Sequence, residues 1–361
     1  VKPRVLFLSG REVAYMRNRV LIAALKMHFD VTVIEGRVPT TAGRSLAGLA
    51  RLLSTRPDYQ ACLVGFYAQP LAIALSRVQR QPLIVDAYVS TFDTLTADRG
   101  WLRPGSPLGR LAHWLDRQSC QVATCVLTDT AAHADYFSQT FGTPRDKLAP
   151  VYVGCDQDVF YPRQATTAHP DRCAVFYYGS FLRLHGTDVI VEAAQRLRHR
   201  RDIHFTLGGD GPQWRGIAKR IAGLELDNVD LVGWIPLAAL PDHIAGASIC
   251  LGGHFSTVPK AARVISTKTY QFLAMARPTI VGDNAATREL LAHGEHAWMV
   301  PMGDPGALAA GIERLVDDAV LRRHLAQEGR TLFRRRLSTA AISDQLAGIV
   351  GEALDTCTSV S

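Results

Sequence analysis

The stretch from Ala174 to Pro212, AVFYYGSFLRLHGTDVIVEAAQRLRHRRDIHFTLGGDGP, constrains the fold of this chain more than any other. An apolar run over residues 175–178 stops at Gly179, a loop carrying Arg183 and His185 follows, and Gly186 releases the chain into a helical pattern. Val189, Ile190, Ala193, Ala194 and Leu197 share one face of that helix at a 3.6-residue period. Asp188 suits its first turn and the arginines at 196, 198, 200 and 201 suit its C-terminal dipole. A second strand, residues 204–207, then ends in Gly208-Gly209-Asp210-Gly211-Pro212. Two glycine-rich strand exits at one sheet edge make a crevice where a phosphate-bearing ligand can rest on backbone N–H groups and a helix N-terminus. Taken singly, each exit is also what an ordinary strand-to-helix turn looks like.

The same alternation runs through the chain. Strands are expected at residues 5–9, 31–34, 61–66, 83–87, 125–128 and 148–153, with helices at 17–29, 44–54, 71–78, 107–118 and 131–141 between them. Continuous apolar runs separated by helices indicate a parallel sheet buried on both faces. Residues 156–172 carry Pro162, Pro170 and no apolar period, which suits a linker. Beyond it come strands at 229–232, 249–251, 279–281 and 298–300, with helices at 240–247, 268–276, 286–291 and 305–316. The last helices, 321–336 and 340–354, have no strand after them and are expected to pack outside a sheet or to cross back to the first domain. At 361 residues the chain exceeds one compact core, and two domains of roughly 150 to 180 residues are expected. The expected fold is therefore α/β, with two Rossmann-like domains over residues 1–160 and 161–338 and a terminal segment, 339–361, that crosses back to the first.

Composition narrows the partners without naming one. The net charge of +7 calls for an anionic partner or a solvated basic surface, and no zinc-finger, RNP or basic-zipper pattern points to nucleic acid. Seven cysteines without a CxxC pair, and histidines without metal-ligand spacing, argue against a disulfide framework and a metal centre. The apolar run 5–8 is too short for a signal peptide, and 61–75 is broken by Gly65, Gln69 and Pro70, so a cytoplasmic location is expected.

Between Tyr178 and about Phe333 the chain resembles the retaining nucleotide-sugar glycosyltransferases of family 4 (group 1), which have the GT-B architecture of two facing Rossmann-like domains. The resembling pieces are Gly179 with Gly186-Thr187-Asp188, Gly208-Gly209-Asp210-Gly211-Pro212, Val232-Gly233-Trp234-Ile235-Pro236, Leu273-Ala274-Met275-Ala276-Arg277-Pro278, Arg288-Glu289-Leu290-Leu291 and Val300-Pro301-Met302-Gly303-Asp304-Pro305. Their order over some 150 residues carries the likeness; residues 1–160 share it only in outline. Four positions depart from the family pattern. Ser180 and His185 stand where an Arg and a Lys usually reach the donor diphosphate, and Arg263 and Gln271 stand where two glutamates are usual. A variant subgroup with GSFxxLHG and KAxRVI motifs is similar to Gly179–His185–Gly186 and to Lys260-Ala261-Ala262-Arg263-Val264-Ile265.

The resemblance implies a glycosyltransferase (EC 2.4 class) that moves a sugar from a nucleotide-diphosphate co-substrate to a carbohydrate, lipid-linked or small-molecule acceptor, with retention, no cofactor and no metal. A leaving diphosphate gains negative charge, so cations or N–H dipoles must sit where it appears. With no DxD motif near a strand end of the kind that would hold a divalent metal, Arg183, Lys260, Arg263 and Lys268 are the candidates, two or three of them enough for several powers of ten in rate. Gly179, Ser180, His185, Gly209, Trp234, Gln271 and Glu289 complete the donor side; Gly10, Arg17, Asp86 and Asp93 mark the acceptor side, Asp86 as a catalytic candidate. A sugar phosphorylase or epimerase and a non-catalytic nucleotide-sugar-binding module remain open on the same fold. A nicotinamide oxidoreductase fits least, because Gly208-Gly209-Asp210-Gly211 lacks the G-x-G-x-x-G spacing.

One segment points elsewhere. Arg99-Gly100-Trp101-Leu102-Arg103-Pro104 leads into the helix 107–118, where Leu108, Leu111, Trp114 and Leu115 form an apolar face flanked by Arg103, Arg110 and Arg117. That face either covers the sheet or meets the anionic headgroups of a membrane's inner surface as a peripheral contact.

Overall fold

The computed structural model describes residues 2–36, 38, 40–164 and 172–358. Of the stretch 156–172 expected to link the domains, residues 165–171 lie outside these. The chain forms two compact units, Val1–Gly154 with Thr339–Ser361, and Cys155–Ser338.

In the first unit β1 (Arg4–Ser9), β2 (Asp30–Glu35), β3 (Ala61–Val64), β4 (Leu83–Asp86), β5 (Cys125–Thr128) and β6 (Leu148–Pro150) form one parallel sheet in the order β2-β1-β3-β4-β5-β6. Alternation along β1 sends Val5 and Phe7 to one face and Leu6 and Leu8 to the other, and all four are buried. The face of Val5 and Phe7 also packs Leu21 and Leu25 from the helix Met16–His28, and Ile342, Leu346, Val350 and Ala353 from the helix Thr339–Thr358. The spacing of those last four, one per turn, is why this helix needs no strand after it. Ser343 Oγ donates to Ala24 O at 2.7 Å within the same contact.

The second unit repeats the plan with β7 (Cys173–Gly179), β8 (Ile203–Gly209), β9 (Val229–Val232), β10 (Ile249–Leu251), β11 (Thr279–Asp283) and β12 (Trp298–Pro301), ordered β12-β11-β10-β7-β8-β9 and again parallel. β8 and β9 follow β7 on one side, and the chain then crosses to place β10 on the other. The carboxyl ends of β7 and β10 thus bound the point where the winding reverses, the usual ligand crevice of an open α/β sheet.

Some elements differ from expectation. The helix Trp214–Gly223 is not legible in the sequence because only Ile217 and Ile221 are buried on it. The segment expected as one helix over 286–291 is a single turn, Ala285–Arg288, with Asn284 and Thr287 making reciprocal capping bonds. The expected helix 321–336 is Ala319–Leu332 followed by a wider turn, Phe333–Leu337. Among the described residues no helix is long and apolar enough to cross a membrane.

Candidate functional site

At the switch point of the second unit two loops are tied together. Phe255 N–H donates to His185 O at 3.2 Å, and Ser256 Oγ donates to Leu184 O at 2.7 Å. Gly186 permits this, for its φ is +70° and a Cβ there would stand 2.5 Å from Ser256 N. The loops bring the rings of His185, after β7, and His254, after β10, into a stack with centroids 5.5 Å apart and planes 15° from parallel. Lys268, in the first turn of the helix Thr267–Ala274, holds its Nζ 5.4 Å from the centre of the Tyr177 ring and 5.8 Å from that of Tyr178. All three polar side chains are buried.

Their hydrogen-bonding capacity is not used by the protein. His185 Nδ1, His254 Nδ1, Tyr177 Oη and Thr187 Oγ1 are buried without a hydrogen-bond partner among the described residues. Among the described residues Lys268 makes no hydrogen bond or ion pair and faces the Tyr177 and Tyr178 rings, and burial alone lowers its ammonium to about 7. Burial, reinforced by Lys268 and Lys260, takes His254 down to about 3. Burial, with Lys268 and His254 adding to it, holds His185 well below the usual histidine range. Both imidazoles are therefore neutral near pH 7, each with one N–H to give. Buried polar atoms are normally satisfied, so the orphans of His185, His254 and Tyr177 beside an amine that lacks a counter-ion among the described residues describe a cradle for oxygens of an anionic ligand.

Other donor-side candidates fall into three groups. Gly179, Lys260 and Gln271 belong to the cluster. A Cβ on Gly179 would lie 2.7 Å from Tyr177 Oη and 3.1 Å from His185 Nδ1, so glycine keeps both atoms open. Lys260 is buried in the turn Pro259–Ala262, and Tyr178 Oη donates to Gln271 Oε1 beside it on the helix of Lys268. Gly209 serves packing: its φ is +134°, and a Cβ there would stand 1.9 Å from Gly179 O, which brings the β7 and β8 exits into backbone contact. Ser180 and Arg183 are exposed, Arg263 and Glu289 half-buried, and Trp234 is 71% exposed, which gives the indole no stacking partner within its own unit.

Sequence reasoning passed over His254, Tyr177 and Thr187. A signal for His254 was present in Leu251-Gly252-Gly253-His254, a third strand that exits on glycines.

The acceptor-side candidates of the first unit are buried at its own sheet edge. Arg17 Nη2 and Nε donate to Asp86 Oδ1 and Oδ2 at 2.9 and 3.2 Å, and Nη1 donates to Val151 O and Tyr152 O at 2.6 and 3.2 Å. Both side chains have no exposed surface, so Asp86 is the counter-ion of Arg17 rather than an open acid or base. Gly10 admits no Cβ because Phe66 O would be 2.5 Å from it. Asp93 is buried, its N–H bonded to Ser90 Oγ at 3.0 Å. A second buried pair lies at the end of β5, His133 Nδ1 and Asp129 Oδ1 at 2.6 Å, and nothing in residues 125–133 marks it in advance. Among the described residues no three of His, Cys, Asp and Glu come together as metal ligands.

Comparison with known proteins adds an identity to this geometry. Residues 4–154 match the family described as "Glycosyl transferase 4-like domain", and residues 172–318 match "Glycosyl transferases group 1". Both halves of the chain belong to glycosyltransferase domain families. An alpha-D-kanosaminyltransferase from Streptomyces kanamyceticus is 27% identical over 288 residues, 77% of this chain and 72% of that protein. The lipopolysaccharide core biosynthesis glycosyltransferase LpsD of Rhizobium meliloti is 26% identical over 48% of each chain. Among solved structures, sucrose-phosphate synthase from Thermosynechococcus elongatus superposes with a TM-score of 0.77 at 16% identity, covering 99% of this chain and 100% of that one. HepE of Anabaena, in complex with UDP-glucose, gives 0.72 at 16% identity over 97% and 99%. At that identity these structures establish the shared GT-B fold and nothing finer.

Proposed function

We propose that this glycosyltransferase takes its sugar from a nucleotide-diphosphate donor whose diphosphate rests in the second unit on His185, His254 and Lys268. The observation that carries the reading is the buried amine of Lys268, which has no carboxylate beside it and two neutral imidazoles with unused Nδ1 atoms next to it. In the reaction the bond from the anomeric carbon to the diphosphate oxygen breaks, with its electron pair leaving on the diphosphate. The acceptor hydroxyl passes its proton to the departing diphosphate and forms the new glycosidic bond. Lys268 and Lys260 oppose the charge that grows on the leaving group, and the imidazole N–H groups hydrogen-bond its oxygens. With cations in place for this task the transfer proceeds without a divalent metal, and the family likeness favours retention at the anomeric carbon.

Ser180 and His185 in place of the usual Arg and Lys, and Arg263 in place of a glutamate, fit one reading: the charge that others carry on the first loop is carried here by Lys260 and Lys268. Gln271, bonded to Tyr178, keeps an amide that suits a hydroxyl of the donor. The names of the relatives, a kanosaminyltransferase and a lipopolysaccharide-core glycosyltransferase, support a hexose or amino-hexose donor and a carbohydrate acceptor.

The test is a panel of UDP-, dTDP- and GDP-sugars, scored by thermal shift and by slow donor hydrolysis, each with and without EDTA. A ligand at a hundred times its dissociation constant stabilises by about 2.7 kcal/mol. Stabilisation and hydrolysis that persist in EDTA are expected. Binding without hydrolysis or transfer would convert the assignment to a binding module, and rescue of an EDTA-treated sample by magnesium or manganese would overturn the metal-free mechanism.

A further inference from the structure

The helix Pro107–Val122 is turned the opposite way from one that only covers a sheet. Its buried residues are Gly109, Ala112, Asp116, Ser119 and Cys120. Leu108, Leu111 and Trp114 point outward, 60%, 49% and 49% exposed. A helix on a soluble surface ordinarily buries its large apolar stripe and shows its polar one.

The inversion has local causes. Asp116 faces inward because its carboxylate accepts from Ser90 Oγ at 2.7 Å, Phe92 N at 2.9 Å, Thr91 N at 3.2 Å and Gln69 Nε2 at 3.0 Å, fixing the loop after β4. Gly109 faces inward because the preceding loop lies on it: a Cβ there would stand 2.4 Å from Arg103 O. Ser106 caps the helix by accepting from Gly109 N at 3.1 Å and binds the loop by donating to Arg103 O at 2.7 Å. Loop and helix are thereby one fixed surface. On the loop Trp101 is 66% exposed, with the Arg99 guanidinium 4.5 Å from its ring centre.

Charge gives the surface its partner. Arg99, Arg103, Arg110 and Arg117 are all exposed around these four apolar side chains, and the only carboxylate between residues 99 and 121 is the buried Asp116. Because β4 and β5 are parallel neighbours, the helix joining them starts at the carboxyl edge of the sheet, the edge of Asp86.

We propose that this surface docks the protein on an anionic lipid bilayer, Trp101, Leu108, Leu111 and Trp114 entering the headgroup layer while the four arginines pair with lipid phosphates. Indole rings and arginine stems suit that boundary, apolar in body and polar at the tip. The proposal stands apart from the identity of the sugar donor; it implies that an acceptor carried on a lipid would be presented at this sheet edge.

Sedimentation with vesicles tests it, using phosphatidylcholine alone and phosphatidylcholine mixed with phosphatidylglycerol. The protein is expected to pellet with the anionic vesicles at low salt, to stay in solution with neutral ones, and to be released at high salt. Arg103→Gln with Arg110→Gln should weaken partitioning about 30-fold, about fivefold for each arginine. Trp101→Ser with Trp114→Ser should abolish it while leaving the melting temperature unchanged, since both side chains are exposed. Failure to pellet with anionic vesicles at low salt, or equal binding by the tryptophan variant, would overturn the proposal. So would a dimer in light scattering that Trp114→Ser dissociates, which would assign the surface to a second copy of the chain.

Discussion

Replacing Lys268 by Met should make the free protein more stable and the donor site worse. A lysine normally keeps its proton to 10.5, and burial among Tyr177, Tyr178, His185 and His254 lowers that to about 7. The folded chain therefore gives up near pH 7 a proton that the unfolded chain holds until pH 10.5, so wild-type stability rises with pH across that window. Below it the full difference is set against folding, with a ceiling of about 5 kcal/mol. Methionine has nearly the same length, fills the same space and titrates nowhere. Removing uncompensated buried charge in this way typically stabilises by about 1–4 kcal/mol.

Calorimetric melting at pH 6, 8 and 10, with and without UDP-glucose, separates the two effects. Without ligand the variant should melt higher than wild type at pH 6, and the two should converge by pH 10. With ligand the variant's lead at pH 6 should shrink by what one lost charge-assisted bond to the diphosphate is worth, about 1.5–3 kcal/mol or roughly 10- to 150-fold in affinity. A variant that melts lower at every pH and keeps the full UDP-glucose shift would refute the reasoning, because Lys268 would then be a packed side chain stabilised by contacts unrelated to a ligand.

Four further outcomes follow from particular residues. The affinity of wild type for UDP-glucose, whose diphosphate has no proton to lose in this range, should fall about 5- to 30-fold between pH 7 and pH 9 as Lys268 discharges, and calorimetry in buffers of different ionisation enthalpy should show proton uptake on binding; a flat profile would remove the amine from the site. Asp86→Ala should destabilise the first unit by about 3–5 kcal/mol in urea titrations by stranding Arg17, whereas Arg17→Met with Asp86→Leu should recover most of the loss; equal losses in both would mean that the ion pair is not what the site depends on. Gly209→Ala, whose Cβ would meet Gly179 O at 1.9 Å, should lower the melting point and UDP-glucose affinity together. Gly216→Ala, in the helix Trp214–Gly223 with nothing within 4 Å, should stabilise by about 0.5–1 kcal/mol.

The doubly wound architecture was legible because parallel strands buried on both faces must be continuous apolar runs, and each run here stops at a glycine, a proline or a small polar residue. The β7 exit was legible for the same reason: Gly179, His185 and Gly186 lie within one short loop. His254 was not, although it stacks on His185. β10 has only three residues, and nothing local says that the chain crosses back to lay it beside β7 instead of continuing past β9. Half of the cluster is therefore written in one loop and half in a crossover. A crossover is decided by which apolar faces the helices can cover, a property of the whole sheet rather than of residues 249–254.

Charged and apolar residues mislead for a related reason, since sequence periodicity gives the spacing of a stripe but not its sense. Asp86 and Arg17 are 69 positions apart and each reads singly as a ligand contact, yet they consume one another in a bidentate pair without exposed surface. In residues 107–122 two stripes run side by side, one large and apolar, the other small with an aspartate, and on pattern alone the first should be inward. Three loop groups needed the Asp116 carboxylate, the Arg103 carbonyl needed the space that a glycine leaves, and those polar demands outweighed the burial of two leucines and a tryptophan. Burying what Leu108, Leu111 and Trp114 still expose, about half of each, would be worth about 2–4 kcal/mol. A soluble fold gives that up, and a chain whose large apolar side chains end beside four exposed arginines recovers it only where an anionic, partly apolar surface is available to cover them.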